Sequence, residues 1–486
     1  MLNSKLIDVL SGFSRKEMTR FRDFTHSPYF NKHSDVQHLM DYLSELFPDF
    51  RNENCSREVL ISQLFATRKN AAQHLSLVFT YAQRLVEQFM IQEQFKPMEG
   101  FKNILLLRNL RQRKLPKFYE KIERSQNKLL AQNALKDANY YNLKFLTAAE
   151  SDANHSQLAR LEKDESIQFK QDNFDHYYLA EKLKDACEMQ NRGSILKVNY
   201  SDHLQKILIQ VVRQNLEIYQ EAPPIMIYFH LYEMITLETE EHYFQALKII
   251  EEYEHFVSQS EKQNIYNFLQ NHCIKGINKG HQKYYRLLLE LYKKQLEKDL
   301  LLDEEGYLVE WNYKNIVTNG IRLKEMEWTR SFIESYRNKL HPSVMENAYT
   351  FNLAAFYYST NELEKVQELL IKVEYTDFRY SLAAKSLLMR TYYDLNEEEA
   401  LLSLIRSFRQ YLYRNKLIEE KRRSAFINLL KFTQKFFQIK SRLAFQSKQK
   451  TIQAIRQQKD KISATELLIN KVWLNQKLAE LEIENS

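Results

Sequence analysis

Glycine and proline are almost absent from this chain, with seven of each in 486 residues. Strand-rich folds need turn residues at close intervals, so the scarcity points to long helices joined by short polar turns. No two glycines stand closer than Gly276 and Gly280, which leaves no GxGxxG or GxxxxGK[ST] loop to cradle a phosphate. The GxSxG elbow and the HExxH zinc motif are also missing. Cysteine is scarce: Cys55, Cys187 and Cys273 are odd in number, far apart and in no CxxC spacing. That pattern excludes a disulfide framework and fits buried thiols in a reducing compartment. Long apolar runs are lacking too. The N-terminal MLNSKLIDVL has no apolar core of signal-peptide length. The most apolar run, Ile225 to Tyr232, is interrupted by His230 and falls far short of the ~20 residues that span a bilayer. The expectation is a cytoplasmic chain without a membrane segment.

What is present suffices for a core. A hydrophobic fraction of 44% and an aromatic fraction of 13% exclude wholesale disorder. The net charge of +7 is modest but unevenly placed. From Arg414 to Lys461 there are 14 Lys and Arg against 3 acids, an excess of eleven that leaves the rest of the chain at −4. Phe101 to Lys121 holds seven cations against one acid, which reads as a solvated face unless several such patches line up in space.

Along the chain, residues 1–97 read as a helical module. Ser14 and Glu17 form a capping box opening a helix with Met18, Phe21 and Phe24, which Ser27-Pro28 ends. Ser34 and Gln37 open the next, with Val36, Leu39, Met40 and Leu43 at helical spacing. Helices over 57–66 and 71–95 follow, and Lys96-Pro97 with Gly100 marks a domain boundary. Residues 101–222 read as long middle helices. Residues 225–413 read as helix–turn–helix units over 225–257, 260–298, 308–340, 343–373 and 378–413. Residues 414–486 read as a basic helix followed by a capping box, Ser463 to Glu466. This box opens a final helix with Leu467, Leu468, Val472, Trp473, Leu474, Leu478 and Leu481. Such a helix would cover the last apolar face of the array.

Self-similarity is visible between 345 and 413. Tyr357 recurs as Tyr392, Asn361 as Asn396, and Leu369-Leu370 as Leu404-Ile405, each 35 positions on. A period near ~34 residues read as helix–turn–helix predicts an all-α solenoid. The stretch resembles tetratricopeptide repeats. Leu353 and Ala354 fall at the family's Leu and small positions, Tyr357 at its aromatic one and Val366 at the small residue of the second helix, with Leu370 and Val373 beyond. The second unit departs, with Met389 and Leu401 where small residues are usual and no closing proline. The resemblance implies a TPR-like α-α solenoid whose first helices line a groove for extended peptides. Groove-facing positions would be Phe351, Asn352, Ala355 and Tyr358, then Ser386, Arg390 and Tyr393, with Lys314 as a further polar contact. Of these, Asn352, Tyr358, Arg390, Tyr393 and Lys314 are the expected partner-binding residues. The whole chain, with SPYFN (27–31) and LKEMEW (323–328), is also similar to a family of long all-helical bacterial proteins, a resemblance that implies no activity.

Catalytic signatures are short and isolated. Glu252 with His255, Asp35 with His38 and Asp152 with His155 are spacings expected by chance among 13 His and 63 acids. His272-Cys273 reads as a buried pair, because nothing in the sequence sets a base beside the thiol. The chain therefore reads as no enzyme, with no cofactor, metal or small-molecule substrate. The expected function is a cytoplasmic protein-interaction scaffold or adaptor with a protein or peptide partner. The alternative is nucleic-acid binding through 414–461, where Lys421, Arg422, Arg423, Lys431, Lys435, Lys440 and Arg442 stand among Phe432, Phe436 and Phe437.

Overall fold

The computed structural model describes residues 4–51, 53–157, 165–201, 203–371, 378–442 and 447–483. Among them the protein is all-α, with twenty-four α-helices, no strand and one isolated bridge between Leu302 and Leu308. The chain divides into two compact units, 1–184 with 204–226 and 185–203 with 227–486.

In the first unit, α1 (Lys5–Ser11), α2 (Arg15–His26), α3 (Ser34–Leu46), α4 (Arg57–Leu64) and α5 (Ala71–Phe95) enclose one apolar core. The expected capping box opens α2: Ser14 Oγ accepts from the Glu17 N–H, and the Glu17 carboxylate accepts from the Ser14 N–H. α3 differs by one residue from its expected start. His33 takes the cap position without a side-chain bond, and Asn31 braces the turn by accepting from the His33 N–H and donating to Thr25 O. α5 buries Leu75, Val78, Ala82, Leu85, Val86 and Phe89 along one face. Phe89 meets the rings of Phe13, Phe21 and Phe24.

α6 (Glu99–Gln112), α7 (Pro116–Gln132) and α8 (Ala138–Gln157) follow. A polar thread runs through them, from Asn103 Nδ2 to Gln126 Oε1, from Gln126 Nε2 to Thr147 Oγ1, and from Thr147 Oγ1 to Leu143 O. Buried Glu150 receives Arg108 at 2.7 Å and Arg111 at 3.1 Å, so two of the seven cations of Phe101–Lys121 are answered internally. The division between the units falls within α9 (Ser166–Leu196) and within α12 (Pro223–Leu237). α10 (Gln205–Gln214) and α11 (Leu216–Tyr219) belong to the first unit.

The second unit contains helix pairs in the stretches where the sequence pattern puts them: α12 with α13 (Glu240–Tyr253), α14 (Gln259–Asn278) with α15 (Lys283–Glu297), α16 (Glu310–Arg322) with α17 (Met326–Ser335), α18 (Pro342–Ser359) with α19 (Leu363–Ile371), and α20 (Phe378–Asp394) with α21 (Glu398–Arg414). Val373, the last of the expected repeat positions, lies outside the described residues. α16 packs on α18 and α18 on α20, besides their sequence neighbours. Each pair turns on a residue in the left-handed region: Glu238, Gly280, Lys324, Asn361 and Asn396. The last four close the same motif. The next residue's N–H returns to the carbonyl five back, as from Glu362 to Tyr357 O and from Glu397 to Tyr392 O. The 35-residue echo of Tyr357 and Asn361 in Tyr392 and Asn396 is the footprint of that cap.

Close approach fixes two glycines in the pairs. A Cβ on Gly276 would lie 2.3 Å from the Tyr284 ring, and one on Gly320 would lie 2.2 Å from Thr329 Oγ1. Outside, charges link one pair to the next. Lys275 and Lys279 meet Glu238, Lys283 meets Glu240, Arg286 meets Glu325, Lys294 meets Glu251 and Lys298 meets Glu254.

The C-terminal stretch departs from its expected layout. The basic region is two helices, α22 (Glu420–Ser441) and α23 (Lys448–Ala464), and the last helix, α24 (Lys471–Ile483), starts later than expected. Ser463 does not cap a new helix. Its hydroxyl donates back to Lys459 O inside α23, which continues to Ala464. Leu467 consequently lies in the connecting turn, 41% exposed, and Val472 is 77% exposed. Trp473, Leu474, Leu478 and Leu481 are buried with Ile405, Phe408, Leu430 and Phe436 in one core.

Candidate functional site

The turn after α18, the last turns of α20 and the start of α24 surround a cleft of about 590 Å³. Asn361, whose left-handed cap ends α18 sharply, lines one side of it. Tyr358 reaches in from the last turn of α18, Arg390 and Asp394 from α20, and Trp473 and Lys477 from α24. Their polar atoms form one chain. Trp473 Nε1 donates to the Tyr358 hydroxyl at 3.0 Å, that hydroxyl donates to Asp394 Oδ2 at 2.6 Å, and Lys477 Nζ meets Asp394 Oδ1 at 2.8 Å. Lys477 also reaches Glu480 at 2.8 Å. Burial pushes the Tyr358 hydroxyl up to about 12, with Arg390 opposing and Asp394 adding to the shift, so it remains a donor at neutral pH.

Arg390 differs from its neighbours. Its guanidinium lies 4.2 Å from the centre of the Tyr358 ring and 5.7 Å from that of Trp473. Among the described residues it has no ion pair, and its buried Nε has no hydrogen-bond partner. Arg322, stacked at 4.4 Å on Tyr285, and Lys471 also line the cleft. Four cations thus face one wall carboxylate, Asp394, itself neutralised by Lys477. The cleft's lining therefore carries a net positive charge, with two arginine forks among its cations.

The sequence-expected residues are not all together. Tyr358 and Arg390 share the cleft. Tyr393 is buried beneath it, edge-on to Trp473 at 5.4 Å and to Phe437 at 5.9 Å. Asn352 is buried within α18 and donates to Ala348 O, its Oδ1 having no partner among the described residues. Both lie where no partner touches them in the folded chain. Lys314 sits outside the cleft with its ammonium 5.1 Å from the Trp311 ring, 5.2 Å from Phe351 and 5.8 Å from Tyr380. Ser386 is buried and accepts from Asn470 Nδ2 at 2.8 Å, tying α20 to the start of α24. The sequence pattern does not single out Trp473 and Lys477, because α24 reads only as a cover for apolar surface, nor Asp394, whose partners Tyr358 and Lys477 are distant in sequence.

The isolated acid–histidine spacings do not assemble. Asp35 pairs with Arg68 and His74, Asp152 with Lys170, and the His255 ring lies tilted against Phe256. Among the described residues no three His, Cys, Asp or Glu side chains gather as a metal would need. Burial raises all three thiols, Cys273 to about 12, so none is a thiolate at neutral pH. No described helix is long and apolar enough to cross a membrane. Comparison with family models, curated proteins and solved structures finds no match.

Proposed function

We propose that this chain is a TPR-like helical-repeat scaffold, not an enzyme, that grips an acidic segment of a partner protein in the cleft around Arg390. One observation carries the reading: Arg390 lies against two aromatic rings and makes no ion pair among the described residues, while the cleft's one lining carboxylate, Asp394, is taken by Lys477. An arginine so placed has lost much of its hydration and rotamer freedom before a ligand arrives, which favours a planar carboxylate partner. Tyr358 and Trp473 add rigid contact area. The packing of α16 on α18 and of α18 on α20 supports the solenoid, and three buried free thiols support a cytoplasmic setting.

The test is an array of short peptides of varied charge, probed with the full chain and with Arg390→Gln. Acidic peptides should be retained by the wild type. The substitution should weaken them about ten- to hundredfold, the range of one charge-assisted contact. Lys314→Gln, outside the cleft, should leave retention unchanged. Identical peptide lists for wild type and Arg390→Gln would overturn the reading.

A further inference from the structure

Away from the cleft, α22 gathers cations on one side. Lys421, Lys431, Lys435 and Arg442 are all exposed. At 100° and 1.5 Å per residue they fall within an arc of about 80° along about 31 Å of helix. Among the described residues none of the four takes part in an ion pair. Arg422, also exposed, lies about 100° round the helix from Lys421 and outside that arc, and two other cations are committed inward. Arg423 donates to the carbonyls of Leu412 and Ile418, and the Lys440 ammonium lies 5.2 Å from the Tyr393 ring centre. Beyond the first turn, α22 contains no acidic residue at all.

What the stripe lacks narrows its ligand. Phe436 and Phe437 are buried, and Phe432 is half-buried against Phe436, so the stripe has no aromatic platform for unpaired bases. The apolar face of α22 is locked in the core with Leu429 and Leu430. It therefore has no free apolar side to sink into a bilayer, as an interfacial helix needs. What remains is a straight row of long, flexible cations nearly as long as the ~34 Å of one DNA turn. Such a row suits the regular phosphate rails of a duplex, where contacts position without reading sequence.

We propose that the α22 stripe seats the backbone of double-stranded DNA, independently of base sequence. Four phosphate contacts give a log–log salt slope near about −3.6, which is a loss of about 150-fold in affinity between 50 and 200 mM salt. The test is fluorescence anisotropy of a labelled 20-base-pair DNA titrated with the full chain. The variant Lys421→Gln/Lys431→Gln/Lys435→Gln/Arg442→Gln should bind at least about tenfold more weakly in 50 mM salt, with its slope moved towards zero. A charge-matched control, Lys279→Gln/Lys283→Gln/Lys294→Gln/Lys298→Gln, removes four cations that already have acidic partners and should bind like the wild type. The four α22 side chains are exposed, so unchanged circular dichroism and melting are expected in that variant. The control breaks four ion pairs and takes Lys298 from the Tyr266 hydroxyl, so it should keep its helical circular dichroism but melt somewhat lower. Both are checked first and assayed well below their melting range. No binding at micromolar protein in 50 mM salt overturns the proposal. So does equal loss in the control, or tighter binding of single-stranded DNA, duplex RNA or phosphatidylserine vesicles.

Discussion

The helix pairs from α12 to α17 and the single helix α22 carry the same exposed side chains in opposite arrangements. In the pairs, Lys279, Lys283, Lys294 and Lys298 meet glutamates 41, 43, 43 and 44 residues earlier, and Arg286 meets one 39 residues later. Those separations are about one helix pair, so each bond ties one pair to its neighbour. Along α22, Lys421, Lys431, Lys435 and Arg442 meet no such partner among the described residues. Exposed pairs contribute only ~0–1 kcal/mol each, so the ladder matters less for its energy than for cancelling charge. Where an acid sits one repeat away, a lysine is part of the architecture. Where none does, as from Lys431 through Lys435 to Arg442, successive like charges stand within a Debye length of ~10 Å of one another, a mild repulsion that a polyanion would relieve.

The two regions should therefore fail differently. The largest effect is expected at the C-terminal end, which coheres by packing rather than by charge. Trp473 is 6% exposed, donates to Tyr358 and lies among Tyr393, Leu474 and the α22 phenylalanines. Trp473→Ala should cost ~3–5 kcal/mol, read as a lower urea midpoint that 1 M NaCl does not change. A salt-sensitive loss would mean that charge, not packing, holds this end. A smaller effect is expected within the pairs, at Gly320. An added Cβ would meet Thr329 Oγ1 at 2.2 Å, and Gly320→Ala should cost ~1–3 kcal/mol through overpacking. Gly320→Ala combined with Thr329→Ser keeps the offending oxygen and should stay low, whereas combination with Thr329→Ala should recover most of the loss. Equal melting of the two doubles would show that the hydroxyl is not the obstacle.

Legibility in the sequence follows the range of the forces involved. The α5 face, the Ser14 capping box and the helix pairs of 225–413 were readable because periodicity and caps act within four or five residues. Asn361 and Asn396 announced their turns, since asparagine tolerates the left-handed region. Glu238 and Lys324 occupy it too, with no compositional hint at either turn. Ser463 carried a capping-box pattern, but its helix simply continued, and the residues that matter at α24 begin after Asn470. At the cleft, the repeat pattern points to Tyr358 and Arg390, whereas Asp394, Trp473 and Lys477 come beside them only in the folded chain. Asn352 and Tyr393 illustrate the converse. A position on the groove side of a repeat helix is still buried when another helix lies over it.

The smallest effect separates the two regions most sharply, because it depends on protonation alone. Glu238 accepts from Lys275 and Lys279, which hold its carboxyl at about 2, well below the ordinary 4.5. The unfolded chain therefore binds its proton first, and the stabilisation is fully present above pH 4.5 and fades as pH falls towards 2. With a side-chain exposure of 31% the pair is screened by salt, so Glu238→Gln should lower stability at pH 7 by no more than ~1 kcal/mol. Thermal melts at pH 7, 5 and 3.5 should show wild type and variant converging in the acid range, and converging also in 1 M NaCl at pH 7. The α22 quadruple variant has no carboxylate partner to lose among the described residues, so its melting should track the wild type at all three pH values, or exceed it slightly at low salt as like charges are removed. A Glu238→Gln deficit that persists undiminished at pH 3.5 would mean that the side chain acts by shape rather than charge, and the ladder would then lose its electrostatic meaning.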